Sequence, residues 1–365
     1  MSVIATAVAT IGAAGIWYAS PEMPSMIGQA TVTQPSSLTG PFTPTYAFVT
    51  PSLGWALVVD YSALTTRFFV FHTTDGAAHW YKQYVGKARG DRPYLHFFDA
   101  QHGFAYAGFS YRTGDGGAHW QAINVPGSQP YVNFASPTEG WAQTFRGGAQ
   151  HIYRTGDGGR IWNEVEATPP GSGAAHPVLE PQTSTFSNDC EGWLGATATE
   201  SPATVFLTLD CGATWRSQSL MSNVAPGSWY ETAVKRVSGN LVVAFVSDSA
   251  GHVLSAFSTA DHGDTWRGVP FPTRVSAPEA VSFVDAQHWW ILGSGAIYTS
   301  NNAGSLWTHV HGSGIPEGWQ FDLGQGIDAY HAWGILTSTA KSQLSRLVIT
   351  TDGGSFWSVV SPPQP

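Results

Sequence analysis

Seven positions recur along the chain with residue types that could bind a metal or handle protons. Asp75, Asp115, Asp157, Asp210, Asp261, Asn302 and Asp352 each stand two residues after a Ser or Thr and five before a Trp. A calcium loop draws several oxygen side chains onto one ion. Each copy here brings a single carboxylate, and the sixth, with Asn302, brings none. The spacing is therefore read as a structural turn, with no metal and no cofactor implied. The 13 histidines give a similar answer. His102, His288 and His331 fall in corresponding turns of different repeats, and His79 and His119 precede a Trp, so they are expected to lie too far apart to converge. His309 and His311 alternate on one expected strand, and two ligands without a third make a weak site.

Acid–base hydrolysis of glycosides needs two positioned carboxylates. The candidates by loop position are Glu180, Glu231, Asp248, Glu279 and Asp322, with no motif around them. Arg67, Arg89, Arg92, Arg146, Arg274 and Arg346 are placed on loops at the same expected end. No Walker-type phosphate loop, dinucleotide glycine fingerprint or G-x-S-x-G elbow occurs. Neither Cys190 nor Cys211 sits in a nucleophile motif.

The elements that carry these residues follow from two alternating motifs. One is Ser/Thr-x-Asp-x-Gly-x-x-Trp, as in T-G-D-G-G-A-H-W at Thr113–Trp120 and T-T-D-G-G-S-F-W at Thr350–Trp357. Its tryptophans are Trp80, Trp120, Trp162, Trp215, Trp266, Trp307 and Trp357. The Asp carboxylate can accept backbone N–H groups within a tight turn, the Ser/Thr hydroxyl can satisfy another, and Gly permits a positive φ. In the first copy Ala77 holds the glycine place. The Trp is expected to start the outgoing strand and pack between sheets. The second motif is an apolar strand, a polar turn and Gly-Trp or a relative, as in F-A-S-P-T-E-G-W at Phe134–Trp141. The fifth repeat lacks it and has the short turn Ser238-Gly239-Asn240.

Together the motifs predict four strands per repeat. In the second repeat these are Tyr94–Phe98, Phe104–Phe109, Ser110–Thr113 and His119–Val125. The Asp or Asn positions are separated by 40, 42, 53, 51, 41 and 50 residues, the length of a propeller blade. The fold class predicted is all-β, a seven-bladed β-propeller of four-stranded antiparallel blades. The first-to-second-strand turns and the Asp turns share one end. Long connections at 59–68, 165–183 and 216–232 belong to the other.

Composition agrees with many tight turns. Charged residues are 11%, aromatics 13%, with 16 Trp and 41 Gly in 365 residues. A net charge of −9 argues against a nucleic-acid partner, which needs clustered Lys and Arg. Residues 1–45 contain no Lys or Arg, and Val3–Tyr18 is an almost unbroken small and apolar run. The run is short for a spanning helix of about 20 residues and fits the apolar part of an export signal without its charged start. Residues 1–20 are expected to be an export signal or membrane anchor, or else a weakly packed terminus. Residues 21–45 are expected to be a linker and 46–365 the propeller. Whether residues 28–35 add an outer strand to the last blade stays open.

The paired F-x-D-x-x-x-G-W and T-x-D-G-G-x-x-W pattern resembles the Asp-box, or BNR, repeat of sialidase-like β-propellers. Within that group it resembles the photosystem II assembly-factor-like propellers and their bacterial relatives, over about Tyr46–Val360. The resemblance implies a non-enzymatic scaffold that binds other proteins, often at a membrane surface. The sialidases of the wider group carry an F-R-I-P motif, an arginine triad and a Tyr/Glu pair. No F-R-I-P occurs here. The alternative is a glycan-binding or glycoside-hydrolysing propeller.

Two further expectations follow from turn placement. Cys190 and Cys211 lie in neighbouring turns at one end of the fourth repeat and are expected to form a disulfide, which implies an oxidising, extracytoplasmic setting. Because the turn end repeats, specificity is expected from the other end. There Arg89, Arg92, Tyr94, Trp229, Tyr230 and Glu231 are the candidate binding residues for an envelope-associated protein partner. Trp229 and Tyr230 are equally read as packing the insertion before them.

Overall fold

The computed structural model describes residues 42–61, 66–89, 93–146, 149–165, 175–178, 184–187, 190–199, 202–221, 229–272, 275, 280–293, 296–340 and 344–363. All lie in the compact unit Gln34–Pro365. The apolar run Val3–Tyr18 and residues 28–35 lie outside the described residues.

The described residues form antiparallel sheets built from strands consecutive in the chain. The first sheet is β1 (Phe42–Phe48), β2 (Gly54–Asp60), β3 (Arg67–Thr73) and β4 (Tyr81–Lys87). The second is β5 (Tyr94–Phe97), β6 (Gly103–Tyr106), β7 (Ser110–Thr113) and β8 (Gln121–Ile123). The third is β9 (Ser128–Phe134), β10 (Gly140–Arg146), β11 (Ala149–Thr155) and β12 (Asn163–Glu164). A nine-stranded sheet follows. It holds β13 (Ala175–Val178), β14 (Ser184–Phe186), β15 (Gly192–Thr199), β16 (Thr204–Thr208) and β17 (Arg216–Ser219), then β18 (Trp229–Ser238), β19 (Leu241–Asp248), β20 (Val253–Thr259) and β21 (Arg267–Val269). Its two halves join where β15 pairs with β18. The last two sheets are β22 (Val281–Phe283), β23 (Trp289–Gly293), β24 (Ala296–Ser300), β25 (Thr308–His309), and β26 (Trp319–Gly326), β27 (Ala332–Ser338), β28 (Ser345–Thr350), β29 (Ser358–Val360). This all-β arrangement of four-stranded antiparallel units is consistent with a β-propeller.

Burial falls off along each unit. Every residue of β2 and β23 is buried, whereas the fourth strands β12, β17 and β25 are almost wholly exposed. A strand covered on both faces reads as a continuous apolar run, such as G-W-A-L-V-V-D, in place of an alternating one. Each sheet face is covered by its neighbour in the chain. Trp55 and Leu57 pack with Phe97 and Ala105 between the first two sheets, and Phe104 packs with Val132 and Ala142 between the next two. Further along, Trp193 packs with Val234, Trp289 with Phe245, and Trp290 with Phe321. The last sheet then packs on the first, through Trp333, Ile335 and Leu347 against Tyr46, Phe48 and Phe71. Fully burying one such side chain stabilises the fold by about 1.5–3 kcal/mol.

Several boundaries differ from expectation. β1 begins at Phe42, so residues 42–45 belong to a strand and not to the linker. β2 and β3 shorten the connection expected at 59–68 to residues 61–66. β6 stops at Tyr106, because Ala107–Phe109 make a tight turn closed by the Ala107 N–H to the Phe109 carbonyl. β13 lies within the stretch expected as an insertion and pairs with the second strand of its unit, alongside β14. Each motif Trp precedes its outer strand by one residue, as Trp80 precedes β4.

Candidate functional site

The two ends of the sheets are built differently. At one end the Ser or Thr of each motif donates its hydroxyl to Oδ1 of the Asp or Asn, at 2.8–2.9 Å. That hydroxyl oxygen in turn accepts the N–H of the residue four positions on. Oδ1 also accepts the N–H of the residue just before the Trp. Asn302 makes these same Oδ1 contacts, which need an acceptor oxygen. Two consecutive residues in each turn have positive φ, where one was expected. The extra position holds Gly76, Gly116, Gly158 and Gly353, but also Cys211, His262 and Ala303.

A second backbone bond locks this end. The N–H at that extra position donates to a carbonyl in the turn between the first two strands, as from Gly76 to Ser52 and from Gly116 to Gln101, at 2.9 and 2.8 Å. In the fourth repeat the same bond runs from Cys211 to Cys190 at 3.1 Å. Here the two side chains are joined as a disulfide, with Cα atoms 4.2 Å apart. Glu191, next in sequence, is buried against Arg236 at 3.2 Å and His262 at 3.3 Å, and accepts the Trp193 indole N–H. This buried group ties the fourth repeat to the fifth, whose short Gly239-Asn240 turn has no such cross-turn bond among the described residues. Nothing in the sequence motifs pointed to it.

At the opposite end, Arg89 runs from β4 toward β5 and its N–H donates to the Ala107 carbonyl at 2.7 Å. The approach is so close that a Cβ on Gly108 would overlap the Arg89 carbonyl. Tyr94 opens β5, its ring stacked toward His96 and tilted against Phe104. Burial pushes the Tyr94 phenol up to about 12 and the His96 imidazole down to about 4, because low dielectric disfavours each charged form. Arg92 lies outside the described residues.

Trp229, Tyr230 and Glu231 are not in a loop before the strand. They are the first residues of β18, paired with Thr199, Ala198 and Thr197 of β15. Tyr230 is buried with Ala203 and Val246, while Trp229 is half-buried. Tyr230 is thus a packing residue, and its neighbour Trp229 is the one that reaches solvent. Glu231 lies between β15 and β19. The first strands of five units line a cavity of about 470 Å³, where Tyr94 and His96 share a wall with Asn133, Ser184, Lys235 and Ser282.

Of the carboxylates considered for hydrolysis, Glu180 and Glu279 lie outside the described residues. Asp248 is spent on a turn, where it accepts the N–H groups of Ala250 and His252. Asp322 lies on β26 with its side chain exposed, and desolvation by the surrounding protein raises its pKa. Arg346 stacks over Trp319 at 4.1 Å, and Arg146 pairs with Glu164 at 3.5 Å. Arg274 lies outside the described residues. His309 and His311 have rings in contact at 4.3 Å, although β25 ends at His309. The histidines are less dispersed than expected, because His102 and His119 of one repeat line a single crevice. Among the described residues, no group of three or more His, Cys, Asp or Glu is placed to hold a metal ion. Nor is any helix there long and apolar enough to cross a membrane.

No family model matches the sequence, and no curated protein matches it. Solved structures do. The chain is similar to YCF48 bound to D1 peptide, at 16% identity, over 88% of this chain and 99% of that one, with a TM-score of 0.50. It is also similar to a Hadza microbial sialidase, at 12% identity over 88% and 65% of the two chains, with a TM-score of 0.39. A third is the GH93 α-L-arabinofuranosidase of Fusarium graminearum with arabinobiose, at 14% identity over 75% and 97%, with a TM-score of 0.41. The first likeness is one of fold alone.

Proposed function

We propose that the protein is a seven-bladed β-propeller with Asp-box turns gathered at one end, which binds a protein partner through the loops of the other end, outside the cytoplasm. The nine-stranded sheet supplies blades four and five, and the packing of the last sheet on the first closes the ring. Residues 1–20 serve as export signal or anchor.

One observation carries the functional reading. The turn end repeats a single hydrogen-bonded geometry, whereas the opposite end presents a different segment in each unit. Specific recognition draws on what differs between repeats. Arg89, Arg92, Tyr94 and Trp229 offer the aromatic and Arg side chains that dominate interface energy, with Glu231 on the same strand as Trp229. The peptide in the YCF48 structure supports a protein partner, and the Cys190–Cys211 disulfide supports an oxidising compartment.

The test is to replace Arg89, Arg92 and Trp229 singly with Ala, then measure partner capture from the native envelope together with turnover of a sialoside and a β-glucan. Capture that falls at least several-fold, with no turnover in the parent protein, agrees with the proposal. Turnover that collapses in the variants supports a glycoside hydrolase instead.

A further inference from the structure

At the turn end, between the second and third sheets, lies a crevice of about 400 Å³. Arg112 and Arg160 line it together, one from each sheet, beside Phe104, Phe134, His102 and His119. We propose that this crevice binds a carboxylate-bearing ligand through the paired guanidiniums of Arg112 and Arg160. It lies at the end opposite the loops proposed to bind the partner and does not rest on that reading.

Both arginines donate to one acceptor. Nη1 of Arg112 and Nη1 of Arg160 reach the Asp157 carbonyl at 3.2 and 3.1 Å. Nη2 of Arg112 donates to Gln121 Oε1 at 3.1 Å. Arg154 and Arg236, by contrast, are matched with Glu139 and Glu191. Among the described residues, no carboxylate oxygen lies within 4.0 Å of either Arg112 or Arg160. Two like charges held on one neutral oxygen repel. The Arg112 guanidinium is held below its ordinary value, first by burial and then by the Arg160 charge, with the Asp157 charge opposing both. A bidentate anion relieves that repulsion and matches the fork geometry of guanidinium donors.

The other charges in the crevice set the ligand's class. Asp115 and Asp157 line it too, but their Oδ1 atoms are engaged within their own turns by Thr and backbone donors. His102 and His119 direct Nδ1 to Asp99 and Asp115 at 2.9 and 2.6 Å. The two Arg and two Asp charges of the crevice offset one another. Such a site favours the planar fork of a single carboxylate group over a tetrahedral phosphate. The Phe104 and Phe134 rings, 5.1 Å apart, give an apolar wall for the methylene stem of an acidic side chain. The carboxylate can come from a peptide or from a small organic acid.

The test is fluorescence anisotropy with a labelled, N-acetylated hexaglutamate peptide, competed by succinate and by inorganic phosphate. Arg160 is exposed, so Arg160→Gln leaves the fold intact, which circular dichroism verifies. Arg112→Gln is the second variant, and the exposed Arg267→Gln the control. The expected result is peptide binding weakened tenfold or more in both crevice variants and unchanged in the control. Binding of succinate without the peptide assigns the site to a small acid, provided the same variants abolish it. No binding of either carboxylate, binding indifferent to Arg160→Gln, or binding of phosphate alone overturns the proposal.

Discussion

The indole Nε1 of Trp80 donates to the carbonyl of Ser361 at 3.0 Å, across 281 residues of chain. Trp80 belongs to the first repeat, and Ser361 follows the last strand, β29. Around this bond Tyr46 and Phe48 meet Trp333 with ring centroids 5.5 and 6.1 Å apart. First and last sheets are held together by side chains, with no shared strand among the described residues. Trp80→Phe keeps most of the packing and removes the bond, and is expected to cost about 1 kcal/mol. Trp80→Ala also opens a cavity and should cost about 3–5 kcal/mol. Urea unfolding of both variants measures the two terms.

The Cys190–Cys211 disulfide spans 21 residues. Closing a loop of that size stabilises the folded state by about 3 kcal/mol in the chain-entropy model. The Cys190→Ser/Cys211→Ser double variant is expected to lose that amount. It should still fold, because the Cys211 N–H bond to the Cys190 carbonyl remains. Thiol titration of the denatured, unreduced parent protein should find no free thiol.

Acid should reach the turns late. Asp261 is held down to about 2 from 3.8, first by the Thr265 hydroxyl, then by the Thr265 N–H and the Thr259 hydroxyl. A carboxyl whose folded pKa lies below its unfolded one contributes stability that is fully present above the unfolded value. That contribution is lost as pH falls through the folded value. Asp210 and Asp352 are lowered in the same direction. Asp261→Asn keeps the Oδ1 acceptor but loses the Oδ2 carboxylate oxygen that accepts the Thr265 hydroxyl at 2.6 Å, so its melting temperature should lie below that of the parent at neutral pH. The gap should close as pH falls from about 4 to about 2. A gap that stays constant over that range would contradict the assignment.

Gly354 has φ of +89°. A Cβ there would meet Trp290 at 3.3 Å and Val310 at 3.5 Å. Space is tight but not closed, so the backbone sets the cost. Gly354→Ala is expected to destabilise by about 1–2 kcal/mol. Gly268, on exposed β21, has open space around its Cβ position and no positive φ. Gly268→Ala should stabilise by about 0.5–1 kcal/mol. Paired chemical denaturation curves distinguish the two.

How much of this was legible depended on whether a feature was local. The Ser/Thr-to-Asp spacing encodes a hydrogen-bond cycle closed within seven residues, so it could be read directly. Cys190 and Cys211 could be paired because each occupies a defined place in a repeating turn. The second positive φ was missed, since Cys211, His262 and Ala303 hide a place that glycine marks elsewhere. β13 was missed because A-H-P-V carries Pro177, which suits only an edge strand. Tyr230 stayed open between binding and packing because its burial depends on Ala203 and Val246, which no motif links to it. The shared crevice of His102 and His119 had one signal. The second repeat alone carries a histidine in both of its turns at this end.

The central claim is that the end bearing Arg89 and Trp229 meets a protein partner. Crosslinking mass spectrometry on the full chain in its native host tests it most directly, with reactive groups placed at Arg89, Trp229 and, on the turn end, Tyr330. The account predicts crosslinks to one recurring protein from the first two positions and none from Tyr330. Crosslinks confined to Tyr330 would contradict it.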